Sequence, residues 1–385
     1  MTRLIVAAGG GGDAVGAALL HSALYGDDDP AVILTYAWDR LLIDPLPGPR
    51  NPADFTGLEP LTRTTNGVPA TARPLPPAGS TLPRPAAHLP HRLALIDPRH
   101  GVRGITDQLD DLVTHLRPAS VDLLDVGGDI LARGDEPTLK SPLADALTLA
   151  ACAQLDADVR LLIAGPGLDG ELPYDAELRD LLGPRVHTFT ACDVEPISAV
   201  LEWHPSEATG MLAATARGVR GICEIRAAGL PVPLTDDSPV VHEADLDQVL
   251  DRNELARAVV STSTLPQAEA LSRRICGFSE IDYERTKAHR LGQRQPGPLD
   301  PVSTLHHLTR FETAARARGV THTTFRRLTE ALNLSGTERE PLRRLLADSY
   351  PQRYRSAAPL WSLTAVSPPF PHSSPQRKRP PADVA

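Results

Sequence analysis

The opening stretch "LIVAAGGGGDAVGAALL" joins a short aliphatic run to four glycines and a helix-forming segment, and similar units recur along the chain. A continuous apolar run of five or six residues broken by glycine reads as a strand buried on both faces. The run at 4–8 fits this fully, and aliphatic-rich segments at 31–36, 92–97, 121–126 and 159–165 read as further strands. Helical segments follow at 14–25, with Asp13 as a cap, and from Pro142 to about Leu155. Parallel strands need helical crossovers, so strand–glycine–helix units in series predict an α/β fold. The expected architecture is an open, mostly parallel, Rossmann-like sheet with helices on both faces and further helices at the C-terminus. "GICEIR" and "PVVHEA" read as late strands of the same sheet, and 302–349 reads as entirely helical.

Proline divides the chain further. The 38 prolines cluster between Pro45 and Pro90 and after Pro351, where a fixed φ and a missing N–H favour irregular backbone. The expected organisation is an α/β ligand-binding domain over 1–300 with a Pro-rich insertion near 45–90. A helical segment over 301–350 and a disordered tail over 351–385 complete it. The balance of 39 basic against 48 acidic residues, a net −9, disfavours a nucleic-acid partner. Four scattered cysteines without a CxxC pair argue against a zinc ribbon or a stapled secreted domain. No run of about eighteen apolar residues suggests a membrane span. The expected setting is cytoplasmic, with a small-molecule ligand as the partner and self-association left open.

Three blocks carry the candidate chemistry. In the first, Gly9, Gly10, Gly11 and Gly12 end a strand where backbone N–H groups attract anions. Gly9, Gly11 and Ala14 fit G-x-G-x-x-A, and Asp39 follows the second strand roughly where a dinucleotide fold keeps its ribose acid. No lysine follows, which excludes a P-loop. Asp13 occupies the helix end that a phosphate would take, so the loop is expected to grip a hydroxyl or a metal-bridged anion. In the second block, "YAWDRLLIDPLPGPR", prolines stiffen a loop that holds Asp39, Arg40, Asp44 and Arg50. The alternative reading is a rigid connection with solvated charges.

The third block, "LLDVGGDILARGDEPTLKSPLADAL", is the richest. A buried strand delivers Asp125, then Gly127, Gly128 and Asp129. Arg133, Glu136 and Ser141 follow on a loop, and Asp145 opens the next helix. Strand ends of a parallel sheet share one edge, so this block is expected to face Gly9–Asp13. Clustered carboxylates there raise one another's pKa or share a hard cation such as Mg²⁺. Asp13, Asp129 and Glu136 are the candidate catalytic acids. His204, in "EWHPSEATGML", is a candidate base or proton shuttle, although a histidine beside a proline is more often structural.

Together, "AAGGGGDAVG", "WDRLLIDPLPGPR" and "DVGGDILARGDEPTLKSPLADAL" resemble the family known as domain of unknown function 1152, over about residues 1–330. The resemblance implies an α/β fold and one pocket built from all three blocks, but no reaction. The leading expectation is an enzyme acting on a small polar, phosphorylated or nucleotide-like substrate at the C-terminal rim of the sheet. A nicotinamide- or flavin-dependent oxidoreductase is the first alternative. A non-catalytic sensor or assembly protein is the second.

Overall fold

The computed structural model describes residues 2–26, 28, 31–293 and 297–364. Its first half alternates strand and helix: β1 (Leu4–Gly10), α1 (Asp13–Tyr25), β2 (Val32–Tyr36), β3 (Arg92–Leu95), α2 (Gly101–Leu116), β4 (Val121–Val126), α3 (Pro142–Cys152) and β5 (Val159–Ala164). Later come β6 (Leu182–Thr188), α4 (Glu207–Ala216), the hairpin β7 (Gly221–Ile225)–β8 (Leu230–Leu234), and β9 (Val240–Ala244).

Strands β1 to β5 are mutually parallel in the order β3-β2-β1-β4-β5. This is the doubly wound order, and its direction of winding reverses between β1 and β4. β9 and then β6 extend the β5 edge antiparallel, while the two-residue strands Asn66–Gly67 and Glu59–Pro60 extend the β3 edge, giving nine strands. Alternate residues of the central strands feed two separate cores. Ile5, Ile33, Leu124 and Val126 pack beneath α1 and α4. Leu4, Leu34, Val121 and Leu123 pack beneath α2 and α3. Every residue of α3 is buried, Asp145 and Thr148 included, so its few polar side chains need partners inside the protein.

Three expectations need correction. "GICEIR" is not in the main sheet: β7 pairs with β8 and with His322–Thr323 in a separate four-stranded sheet that ends at Trp361–Ser362. The segment 302–349 is not wholly helical. His322–Thr323 separates α7 (Pro301–Ala317) from the later helices Phe325–Ala331 and Arg339–Ser349; α5 (Leu265–Cys276) and α6 (Glu280–Gly292) precede them. Residues 351–364 do not join a disordered tail. Pro351–Arg355 is helical, and Trp361 is fully buried in a third core with Leu308, Phe325 and Leu346. One large indole removed from water outweighs the local proline content. Residues 365–385 lie outside the described residues.

The Pro-rich insertion is tied down rather than loose. Asn51 and Asp54 cap the turn at Pro52–Asp54, and Asp111 accepts bonds from Thr64 N–H and Oγ1 at 2.9 and 2.8 Å. No helix among the described residues is long and apolar enough to cross a membrane.

Candidate functional site

The C-terminal ends of β1, β2, β4 and β5 converge on a cavity of ≈ 90 Å³ at the point where the winding reverses, where ligands of open α/β sheets bind. The glycine run forms one wall, and the reason for its glycines is close packing. A Cβ on Gly10 would stand 2.5 Å from the Trp38 carbonyl oxygen, and one on Gly12 would stand 2.0 Å from Ser206 Oγ. Gly12 caps α1, and its carbonyl accepts from Thr209 Oγ1 at 3.0 Å. Asp13, the first residue of α1, turns back so that Oδ2 accepts the Gly9 N–H at 2.9 Å. Its carboxylate therefore fills the concavity that a bare phosphate would occupy.

β4 and α3 bring the other acids. Oxygens of Asp13, Asp125 and Asp145 lie within 4.8 Å of one another. Asp129 and Asp169 line the same cavity. Asp125 Oδ2 accepts from Ile130 N–H at 3.2 Å, and Asp169 Oδ1 from Glu171 N–H at 2.7 Å. Asp125 Oδ1, Asp145 Oδ1 and Asp169 Oδ2 are buried with no hydrogen-bond partner among the described residues. Asp145 is only 2% exposed. Gly127, with φ +128, allows this crowding, since a Cβ there would meet Asp169 Oδ2 at 2.7 Å.

Buried charge without a partner costs several kcal/mol per ion, so the cluster must hold protons or a cation. Burial pushes the Asp13 pKa up to about 7, despite the Gly9 hydrogen bond and the nearby Arg40. Burial and the charge of Glu171 push Asp169 up to about 6. Asp125, Asp129 and Asp145 are also raised, by burial first and then by their neighbours' charges. Glu280 is raised by burial and by Glu284. An all-oxygen anionic set of this kind suits a hard divalent cation.

Glu171 behaves differently. It is fully buried, yet it accepts bonds from Lys140 N–H, Ser141 N–H, Ser141 Oγ and Arg226 at 2.5–2.9 Å. Burial would raise its pKa, but Arg226 and these donors outweigh burial and lower it. Arg226 reaches Glu171 from the β7–β8 turn with φ +58, a left-handed conformation that a non-glycine residue adopts at some cost.

The structure therefore brings Gly9–Gly12, Asp13, Asp39, Arg40, Asp129, Ser141, Asp145 and His204 to one cavity. Asp13 and Asp129, far apart in the chain, share its wall. Their surroundings differ in kind. Both Asp39 oxygens are held by Thr81, at 2.7 and 2.9 Å, so Asp39 anchors the insertion. The Arg40 carbonyl accepts from the amides of Ile43 and Asp44, but its guanidinium makes no hydrogen bond or ion pair among the described residues. His204 accepts the Ser206 N–H on Nδ1 at 3.3 Å, which leaves its proton on Nε2. Burial, with Arg339 and Arg84 nearby, lowers its pKa to about 3. It is a neutral donor at physiological pH rather than a base.

Six expected residues lie outside the cavity wall. Asp44 pairs with Arg50 at 2.9 Å, and Arg50 also donates to the carbonyls of Pro47 and Gly48, both at 2.6 Å. These charges hold their own turn together. Glu136 accepts the amides of Arg133 and Gly134, and Arg133 pairs with Asp135 and Glu177 at the surface. Gly127 and Gly128 shape the turn without lining the cavity. Sequence reasoning missed Asp169, Glu171, Arg226, Glu280 and Arg326. Asp169 had a signal, because it follows the glycine that ends β5. Glu171 lies two residues further along the same loop, and Arg226, Glu280 and Arg326 come from later elements whose docking is tertiary.

Fold and cavity together define a doubly wound α/β protein with a carboxylate-lined pocket at its topological switch point. The chain belongs to the family described as Protein of unknown function (DUF1152), whose model matches residues 4–288. That span holds all three motif blocks and every carboxylate named above, but not Arg326 or the last helices. No curated protein and no solved structure matches the chain.

Proposed function

We propose that this chain is a divalent-cation-dependent enzyme acting on a small polar substrate with a compact anionic group, such as a phosphate. The observation that carries the reading is Asp145, buried and unpartnered, with Asp13 and Asp125 within ligand distance of it. These three residues would hold the cation. When bound, it would neutralise negative charge on the substrate and polarise the oxygen it touches. Asp129 lines the cavity with no hydrogen bond to its carboxylate among the described residues, and burial with the charges of its neighbours raises its pKa, which suits it to carry a proton to or from a substrate. Arg40, which has no ion pair among the described residues, lines the same cavity and is placed to receive the anionic group through its planar fork.

Size supports the same reading. About 10–15 Å³ of cavity volume holds one water, so ≈ 90 Å³ has room for a cation with a phosphate-sized group. The inner cavity by itself is too small for a whole cofactor, which needs roughly 300 Å³ or more. A dinucleotide gains nothing here from Asp39, which Thr81 already holds, or from the glycine loop, which Asp13 fills.

The test is titration of EDTA-stripped protein with Mn²⁺ or Mg²⁺ by calorimetry and thermal shift. Expected is one site per chain with dissociation below the millimolar range, lost in Asp145→Asn. Absence of binding at neutral pH would mean the cluster lives with protons alone, and the proposal would fall.

A further inference from the structure

The cavity over the carboxylates opens sideways. Arg40, Arg226, Glu280 and Arg326 line it and also line a neighbouring groove of ≈ 1120 Å³, bounded by Pro137–Lys140, the β7–β8 turn and one side of α6. The compartments differ in scale and in charge. The inner one has room for a phosphate and a cation, with an acidic floor. The outer one has room for a much larger body, and its wall is basic although the chain carries −9 overall.

Three of the groove's cations are uncommitted. Arg40, Lys140 and Arg290 have no carboxylate within ion-pair distance among the described residues; Lys140 Nζ donates to the Pro137 carbonyl at 3.0 Å and lies 5.7 Å from the centre of the Phe278 ring. Facing them is Tyr283 on α6, 47% exposed, one of few large apolar side chains left in water. Its ring has no aromatic or cationic neighbour among the described residues. Uncommitted cations beside an unstacked ring, leading to a cation-binding floor, suit a ligand with phosphates at one end and a planar aromatic group at the other.

We infer that the groove holds the body of a nucleoside phosphate, its base on Tyr283 and its phosphates passing Lys140 and Arg40 toward the carboxylates. This assignment rests on the cation-dependent reading for the phosphate end, while the base end stands on the groove alone. It names the substrate or cosubstrate class of the site.

The test uses calorimetry on the full chain, with and without Mn²⁺, and three probes: adenosine diphosphate, guanosine diphosphate and inorganic pyrophosphate. Expected is at least ten-fold tighter binding of a nucleoside diphosphate than of pyrophosphate. Tyr283→Ala is expected to weaken the nucleotide about ten-fold and to leave pyrophosphate and the melting temperature unchanged, since the ring is exposed. Lys140→Glu is expected to weaken both anions. Equal affinity for nucleotide and pyrophosphate, or indifference to Tyr283→Ala, would overturn the assignment, as would failure of every probe to bind. Failure of Mn²⁺ to bind, with Tyr283-dependent nucleotide binding intact, would instead remove the cation reading and leave the groove assignment standing.

Discussion

Two buried aspartates show how neighbours decide what a carboxylate does. Asp44 is 1% exposed and Asp145 is 2% exposed, and both occur in aspartate-rich blocks of the sequence. Asp44 has Arg50 at 2.9 Å and the amides of Leu46 and Gly79 at 3.0 and 3.2 Å. Removing it strands a buried guanidinium, so Asp44→Ala is expected to cost about 3 kcal/mol in urea denaturation and to leave cation affinity unchanged. Asp145 has no such partner. Asp145→Asn removes the cost of protonating or burying a carboxyl group on folding, so the EDTA-stripped variant is expected to melt a few degrees higher at pH 7.5. It is also expected to lose the rise that the cation gives the parent, about 2.7 kcal/mol at a hundred-fold excess over Kd. A lower melting temperature in EDTA would mean that Asp145 serves the fold rather than a ligand. Asp129→Asn is expected to keep Mn²⁺ binding while losing turnover of any substrate that a nucleotide-phosphate screen identifies. Loss of Mn²⁺ binding would move Asp129 into the ligand set.

Elements meet at the glycine loop. α1 begins where β1 ends, and α4 packs its first turn against Gly12 through Ser206 and Thr209. Gly12→Ala must separate α1 from α4, which is expected to cost about 1–3 kcal/mol and to weaken cation binding by displacing Asp13. Unchanged stability in urea would show that α4 yields freely. The main strands and helices were legible because short apolar runs bounded by glycine, and Pro142 at a helix start, are local signals. The hairpin β7–β8 was legible only as strand. Its membership of the second sheet depends on pairing with His322–Thr323, about a hundred residues later, and no local pattern encodes that partner. Arg226 was invisible for the same reason, since its role follows from where the hairpin turn docks.

At the scale of the molecule, the carboxylates make stability depend on pH. Burial holds Asp13 at about 7, and Asp39 and Asp169 at about 6. Each binds its proton more tightly folded than unfolded, so its contribution to stability is full below pH 4 and is lost as pH rises through 6–7. In EDTA the melting temperature is expected to fall between pH 5 and pH 7.5. A cation held by Asp13, Asp125 and Asp145 displaces the Asp13 proton, so the rise in melting temperature on adding Mg²⁺ is expected to grow over the same range. A cation-induced shift that is independent of pH would place the ion elsewhere. The α/β class and the shared edge for Gly9–Asp13 and Asp125–Asp145 follow from the chain's own periodicity, because parallel strands joined by helices must end on one side. Which acids stay unpartnered there, and which are tied up by Arg50, Thr81 or Arg226, was settled only when distant segments packed together. Charge pairing acts over a few ångströms in space and leaves no period along the chain.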